Sequence, residues 1–383
     1  MTRPLLVIFL TILVNLIGFG IIVPLLPFYA QTFGASPFVI GMLFASFSIS
    51  QLVASPILGA WSDRWGRRPV LIFSLLGTVV SFTMMALARN LAVLFAARIV
   101  DGLSGGNITT ARAYIGDVTD ESNRARAFGM LGAAFGLGFI IGPAIGGLFA
   151  KISYTAPIWA AAIITVVAMV LAWLWLPETV HKVHAVAGSP WRALGELSAR
   201  PGLRVLFTVD FLYWTCFAIY QGTFALFGEA RFKWDATQIG YILAVFGVLG
   251  VVVQGALVAP TARAIGERRM LTIGLVLAAV SWGASAFAHQ QWVFIAMLVP
   301  GSLGVGFCNP SLISMLAGAA GRHEQGRVLG AAGALESLGR TIGPMWGNGA
   351  LEWFGDSSAY ASAAVLLVVT AALSLRYTPA SPP

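Results

Sequence analysis

Long uncharged runs separated by short polar stretches extend from one end of the chain to the other. Residues 38–61 and 70–88, for example, contain no charged side chain. Each run is long enough to cross a membrane, since about 20 helical residues at a rise of 1.5 Å span a hydrocarbon core about 30 Å thick. The pattern predicts twelve transmembrane helices, at residues 5–26, 38–61, 70–88, 91–115, 127–150, 155–176, 205–228, 238–259, 270–288, 291–318, 328–350 and 358–376.

The amino-acid composition places these runs in a membrane rather than in a soluble core. Of the 383 residues, 58% are hydrophobic and 10% are charged, and the mean hydropathy is +0.84. A soluble fold of this length would have to expose much of that apolar surface to water. The sequence therefore predicts an all-α integral membrane protein that is embedded in the lipid bilayer.

A polar stretch at residues 177–204 divides the runs into two sets of six. Shifting the second half by 201 residues lays residues 126–147 on residues 327–348, with ten identities in 22 positions that include a shared Gly-Pro. Such a repeat is typical of transporters built from parallel repeats. We therefore predict an N-terminal six-helix bundle at 1–176, a cytoplasmic linker at 177–204 and a C-terminal six-helix bundle at 205–383.

The distribution of basic residues sets the predicted orientation. Seventeen of the 23 Lys and Arg residues fall in loops on the side of the termini, and four fall on the opposite side. Because cytoplasmic loops carry the excess of Lys and Arg, both termini are predicted to be cytoplasmic, in a cell inner (plasma) membrane. The formal charge of +8 does not indicate nucleic-acid binding, since the basic residues lie in short loops next to lipid.

The sequence gives no sign of catalytic chemistry. Its four His residues lie in loops or at the ends of runs, without metal-ligand spacing, a Ser-His-Asp order or a phosphate loop. We therefore predict no enzyme activity, no cofactor and no metal site. We expect a monomer whose partners are the lipid bilayer and a small-molecule substrate, with no nucleic acid.

The densest charge cluster lies in the loop after the second run. The loop reads Gly59-Ala-Trp-Ser-Asp63-Arg64-Trp-Gly66-Arg67-Arg68-Pro, and its arginines serve in part as a cytoplasmic anchor. It also resembles the loop motif between helices 2 and 3 of the major facilitator superfamily of secondary transporters. The resemblance implies that Asp63 bonds to the other half when the protein is open outward, and that Arg67 pairs with Asp117. It further implies that breaking this gating cluster opens the cytoplasmic side.

Three further stretches resemble the same superfamily. Arg98-x-x-x-Gly102 is similar to its span 4 motif, residues 15–27 are similar to span 1 of the tetracycline antiporters, and residues 138–147 are similar to the span 5 motif of twelve-helix drug:proton antiporters. The small residues of the last stretch let helices pack closely, and its proline permits a bend. Plain packing and a hinge that prevents leak are both open interpretations of Gly138, Gly142, Pro143, Gly146 and Gly147.

Charged residues inside the runs carry a sharper functional argument. Each costs about 2.5 to 3.5 kcal/mol at a helix centre on insertion scales, so each needs a partner or a wet cavity. Arg98 and Asp101 share a face of span 4, and Glu336 and Arg340 share a face of span 11. The repeat partners of the span 11 pair are phenylalanines, which favours a functional role over a pair that only pins helices. Asp210 in span 7 is a further proton-site candidate, with a gating ion pair as the alternative.

The chain departs from the tetracycline antiporters where they hold acids. Asn15 stands where their span 1 has an acid, and spans 3 and 9 contain no carboxylate. Coupling to protons would then use a carboxylate of another span, with the two intramembrane arginines as positive partners. The proton-coupling candidates are Asp101, Glu336, Asp210, Arg98 and Arg340.

Uncharged polar and aromatic residues within the runs are candidates for lining a substrate cavity, with packing as the alternative for each. They are Asn15, Gln51, Asn107, Tyr213, Trp214, Tyr220, Gln221, Gln254, Asn309 and Trp346. A lining of aromatic and amide groups suits a bulky amphiphile better than a sugar. The sequence thus favours an alternating-access, proton-coupled exporter of amphiphilic drugs or related metabolites. The alternative is a solute importer or uncoupled facilitator of the same superfamily.

Overall fold

The computed structural model describes residues 3–105, 107–119, 121–179, 190–320 and 324–377. Every regular element within these residues is a helix, which confirms the predicted all-α class. A π-helical turn, Val253–Leu257, continues α10 into α11. The helices are α1 (Arg3–Gln31), α2 (Pro37–Trp65), α3 (Arg67–Ala86), α4 (Leu91–Ser104), α5 (Asn107–Val118), α6 (Glu121–Ala150), α7 (Ala156–Trp175), α8 (Pro190–Leu197), α9 (Pro201–Phe232), α10 (Ala236–Val252), α11 (Val258–Ile265), α12 (Glu267–Ala286), α13 (Gln291–Gly318), α14 (Gln325–Phe354) and α15 (Ser357–Ser374).

Ten helical segments of the described residues are long and apolar enough to cross a membrane. They correspond to ten of the twelve predicted runs. The other two runs contain the intramembrane charge pairs: residues 91–115 form α4 and α5, and residues 328–350 lie within α14. Aliphatic side chains such as Val167 and Val368 are exposed on the helix surfaces, as expected where lipid is the neighbour.

Several helices are longer than the predicted runs. The apolar pattern predicts that the first helix ends at residue 26, but α1 continues to Gln31 although Pro24 and Pro27 lie inside it. Membrane helices tolerate proline because neighbouring groups satisfy the backbone that it frees. Hydropathy marks the part of a helix that lies in hydrocarbon, so it misses polar ends such as the first turn of α9.

The chain packs as two compact units. One comprises residues 1–187 and 234–247, and the other comprises residues 188–233 and 248–383. In the first unit, α1 packs on α6 and α7, and α3 packs on α4 and α7. In the second, α9 packs on α14 and α15, and α12 packs on α13 and α15. The helices that pair in one unit are thus the repeat counterparts of those that pair in the other.

Glycines at matching repeat positions bring α6 against α1 and α14 against α9. A Cβ atom at Gly142 would lie 2.7 Å from the carbonyl oxygen of Ile17, and a Cβ atom at Gly343 would lie 2.6 Å from that of Thr215. Both approaches are too close for any side chain, so packing accounts for these glycines. The other glycines of the predicted hinge also face a neighbouring helix backbone: Gly138 and Gly146 on α1, and Gly147 on α10. A bend at Pro143 stays a prediction.

The core of the second unit is aromatic. Tyr220 stacks on Trp282 with ring centroids 4.8 Å apart, and Phe227 stacks on Tyr360 with centroids 4.5 Å apart. Such pairs add to the stabilisation that burial of the rings provides. Tyr220 is therefore a core residue, 4% exposed, rather than part of an open cavity wall.

Candidate functional site

The loop between α2 and α3 turns at Gly66. Its φ of 110° lies in a region that L side chains rarely adopt. A Cβ atom there would lie 2.3 Å from a carboxylate oxygen of Glu178. Both the backbone conformation and the nearby carboxylate therefore require glycine. Gly59, by contrast, has open space where a side chain would lie, and Arg64 is exposed.

Arg67 gathers the predicted gating residues into one cluster. Its Nε donates to Asp117 Oδ2 at 3.1 Å, and its Nη1 donates to Asp63 and, at 3.0 Å, to the Ser62 hydroxyl. Residues at the end of α2 and in α5 thus converge on one guanidinium group at the start of α3. The structure brings Asp63, Arg67 and Asp117 together, and their role as a gate stays a prediction.

Glu178 completes this group, and the motif resemblance did not identify it. Its carboxylate accepts the backbone N–H groups of Arg67 at 2.9 Å and Arg68 at 3.2 Å. Those groups begin α3 and have no partner within the helix, so the acid caps a positive helix end. The only sequence signal is an acid directly after Pro177, where the sixth run ends. We call Asp63, Arg67, Asp117 and Glu178 the loop cluster.

The Arg68 side chain points away from the loop cluster. It donates to the backbone carbonyl of Trp173, in the last turn of α7. Arg268, after the corresponding glycine of the second half, donates in the same way to the carbonyl of Leu375 after α15. Arg68 thus links the start of α3 to the end of α7.

The charge pair of the first unit is enclosed. Arg98 Nη1 donates to Asp101 Oδ2 at 3.0 Å, and the guanidinium carbon lies 4.4 Å from the ring centre of Phe47. The side chains of Arg98 and Asp101 are 1% and 12% exposed. A Cβ atom at Gly102 would lie 2.3 Å from the Phe47 carbonyl oxygen, so α2 closely covers the pair. One cation and one carboxylate balance each other here.

The second unit holds three charged groups on two packed helices. Arg340 Nη2 donates to Glu336 Oε2 at 2.9 Å, and its guanidinium carbon lies 4.3 Å from the ring centre of Trp214. Asp210 on α9 is 2% exposed and lies one turn before Trp214, on the face of α9 that Arg340 contacts. We call Asp210, Glu336 and Arg340 the acid-rich cluster, because it holds two carboxylates and one guanidinium. The sequence marks all three as charged residues within predicted spans but does not place Asp210 beside the other two.

The predicted cavity residues occupy several environments. Gln51 donates to the Gly105 carbonyl at 3.0 Å, which ties α2 to the end of α4. Trp346 is exposed and donates to the Ser362 hydroxyl, so it faces α15. Tyr213 is buried, Gln254 is exposed on the π-helical turn, and the Asn107 side chain is outside the described residues. The remaining candidates are half-buried: Asn15, Trp214, Gln221 and Asn309.

Metal ligands do not cluster in the described part of the chain, where no group of three or more His, Cys, Asp or Glu side chains converges. Two exposed ion pairs instead join helices. Arg200 donates to Glu324 at 2.7 and 3.1 Å, and Arg327 donates to Glu196 of α8. These hydrogen bonds hold the pKa of Glu324 and the pKa of Glu196 below the usual range. They fasten α8 and the start of α9 to the start of α14.

Comparison with known proteins identifies the family. The sequence pattern of the Major Facilitator Superfamily matches residues 8–263 and 230–383. The chain is 36% identical to the tetracycline resistance protein, class C, of Escherichia coli over 353 residues, which cover 90% of this chain and 88% of that protein. It is 30% identical to multidrug resistance protein 2 of Bacillus subtilis (strain 168), with 88% of this chain and 86% of that protein covered.

A solved structure shows the same fold. The nucleoside transporter NupG, crystallised as a point mutant, superposes with a TM-score of 0.84 over 98% of this chain and 99% of that chain, at 13% identity. With the apolar helices described above, these similarities define a multi-pass membrane protein. The chain belongs to the Major Facilitator Superfamily and is a transporter rather than an enzyme.

Proposed function

We propose that the protein is a secondary transporter that works by alternating access and exports amphiphilic drugs or related small metabolites in exchange for protons. Twelve membrane helices in two parallel-repeat bundles would carry the cycle, with both termini in the cytoplasm of an inner-membrane protein. The matching helix pairs and glycine contacts of the two units support this architecture. Drug export is supported by two relatives that are a tetracycline resistance protein and a multidrug resistance protein.

The observation that carries proton coupling is the excess of carboxylates in the acid-rich cluster. Among the described residues, Arg340 is the cation that bonds to Glu336 and contacts the Asp210 face of α9, and Asp210 Oδ2 has no hydrogen-bond partner. Two ionised carboxylates beside one guanidinium would leave an uncompensated charge within the membrane, which is costly. A proton or a positively charged substrate removes that charge. If the site binds either a proton or the substrate, but never the two together, the protein exchanges substrate for protons.

The loop cluster fits a gate in this cycle. Arg67 at the start of α3 pairs with Asp63 and with Asp117. A movement of α3 relative to α2 or to α5 would therefore have to break one of these ion pairs. The enclosed Arg98–Asp101 pair is neutral as it stands. Asp101 is therefore the second candidate for the proton carrier, after the acid-rich cluster.

Purified protein in liposomes with an imposed pH gradient tests the proposal. Internal pH is read while cationic, zwitterionic and neutral amphiphiles are added outside. We expect substrate-triggered proton flux that is lost in Asp210→Asn or Glu336→Gln and kept in Glu352→Gln, which alters an exposed carboxylate of the same helix as Glu336. Flux lost only in Asp101→Asn moves the carrier to the first unit.

Two outcomes would contradict export by exchange. Substrate movement that is indifferent to the pH gradient makes the protein an uncoupled facilitator. Substrate that enters together with protons makes it an importer. Either result leaves the family assignment unchanged, and indifference to the pH gradient also returns the acid-rich cluster to a structural role.

A further inference from the structure

Arg340 lies in surroundings that proteins use to recognise organic cations. Its guanidinium stacks 4.3 Å above Trp214 and bonds to the Glu336 carboxylate at 2.9 Å. The ring centroids of Phe217 and Tyr213 each lie 5.6 Å from that of Trp214, and both rings are tilted edge-on to it. Aromatic faces beside a carboxylate attract a planar or quaternary cation through the ring quadrupole and the negative charge. The protein's own arginine occupies this place.

A second partner for Arg340 is available on the facing helix. Its Nε is buried without a hydrogen-bond partner among the described residues, and so is Asp210 Oδ2. Unpaired buried donors and acceptors are uncommon and call for an explanation. Here the donor and the acceptor have opposite charge and lie on helices that pack together, with Arg340 over Trp214 one turn from Asp210. The structure holds Arg340 with Glu336, and a pairing of Arg340 with Asp210 would satisfy both unpaired atoms.

Accessibility distinguishes this pair from its counterpart in the first unit. Arg98 also stacks on an aromatic ring and bonds a carboxylate, but its side chain is 1% exposed. The side chains of Arg340 and Glu336 are 38% and 24% exposed. The second pair is therefore open at the surface of its bundle, and the first pair is enclosed.

We infer that Arg340 is a resident occupant of an organic-cation site formed by Trp214, Phe217 and Glu336, and that a planar cationic substrate displaces its guanidinium toward Asp210. This inference rests on the proposed export function and deepens it, since it names the charge of the substrate and the residue that sets specificity. After displacement, two positive groups face two carboxylates and the site is neutral. An anionic ligand would leave the carboxylates without added positive charge, so the site rejects it.

Equilibrium binding tests the inference without requiring transport. Ethidium, a planar and permanently charged cation, is titrated into purified protein in nanodiscs and followed by fluorescence polarisation. Arg340→Gln empties the site, so ethidium should bind about tenfold more tightly than to the wild type, which corresponds to about 1.4 kcal/mol. Adding Trp214→Leu to Arg340→Gln should abolish that gain, because the aromatic face is lost.

Two matched variants test whether the loss of any positive charge or any indole would change ethidium binding. Arg204→Gln removes the same charge from an exposed position on α9, and Trp292→Leu removes an exposed indole at the start of α13. Both should bind ethidium like the wild type. Arg340→Lys keeps the charge and the fold but loses the planar stack, so it should lie between the wild type and Arg340→Gln.

The results separate this inference from the proposed function. Unchanged or weaker ethidium binding by folded Arg340→Gln, as judged by its gel-filtration profile, overturns the displacement model. If the wild type nevertheless exchanges substrate for protons in liposomes, the proposed function stands without it. Tighter binding by Arg340→Gln, together with wild-type protein that moves no protons, supports the site and contradicts the exchange.

Discussion

At the scale of single residues, Gly66 and Arg67 show how one loop organises several chain segments. Gly66 provides a backbone conformation that leaves room for the Glu178 carboxylate. The next residue, Arg67, then pairs with the carboxylates of Asp63 and Asp117. The motif resemblance implied the Arg67–Asp117 pair, which the structure contains. It did not imply Glu178, because that acid lies outside the motif and reaches the loop only through folding.

Gly66→Ala should destabilise the protein. The left-handed φ and the nearby Glu178 carboxylate both oppose a side chain, and a residue held in such a region costs about 1–3 kcal/mol. Thermal unfolding in detergent measures the loss. Gly59→Ala is the control, since its methyl group meets no atom within 4 Å, and equal loss in both variants would contradict the explanation.

Asp63→Asn should abolish transport and leave membrane insertion and folding intact. The substitution keeps the size of the side chain but removes the charge that pairs with Arg67. Transport in liposomes, normalised to folded protein, is the measurement. A variant that transports at the wild-type rate would rule out a gating role for this ion pair.

At the scale of elements, hydropathy predicts where helices lie because lipid requires about 20 apolar residues in sequence. The predicted run at 291–318 coincides with α13 for this reason. The π-helical turn at Val253–Leu257 has no such signal, since it changes the hydrogen-bond pattern without changing hydropathy. The glycine spacing of α6 predicted close helix packing, and the structure identifies α1 as the partner.

Gly142→Ala should weaken the contact between α6 and α1. The added methyl group would meet the backbone of Gly20 and Ile17 at 2.7 Å, and backbone cannot move aside cheaply. The matched control is Gly132→Ala on the same helix, where a methyl group has open space and alanine favours the helix. We expect a lower unfolding temperature for the first variant and an equal or higher one for the second. The same sign in both would contradict close packing as the reason for Gly142.

Arg200→Gln should loosen the start of α9 from the start of α14. The hydrogen bond from Arg200 lowers the pKa of Glu324, so this pair stabilises the fold above the ordinary Glu pKa of about 4.3 and loses that effect as the pH falls through the lowered value. At pH 7 the variant should show faster hydrogen exchange in the first turns of α9 and α14. Arg192→Gln, whose ion pair stays within α8, should exchange like the wild type. Equal exchange in all three proteins would show that the pair carries no stability.

At the scale of the whole molecule, the repeat predicted which helices correspond but not which charges meet. Glu336 and Arg340 could be paired from their spacing of four residues on one helix. Asp210 lies 126 positions earlier than Glu336, and only the packing of α9 on α14 brings it near. The excess of carboxylates in the second unit, on which the proposed exchange depends, is therefore a property of the fold.

Proton release on ligand binding tests that exchange most directly. Unbuffered protein in nanodiscs near pH 7 is mixed with ethidium, and a pH indicator reads the protons released as bound ligand is counted. The wild type should release protons in proportion to bound ethidium, and Asp210→Asn should bind ethidium with little or no release. Equal release by both proteins, or ethidium binding by the wild type without release, would contradict proton exchange at the acid-rich cluster.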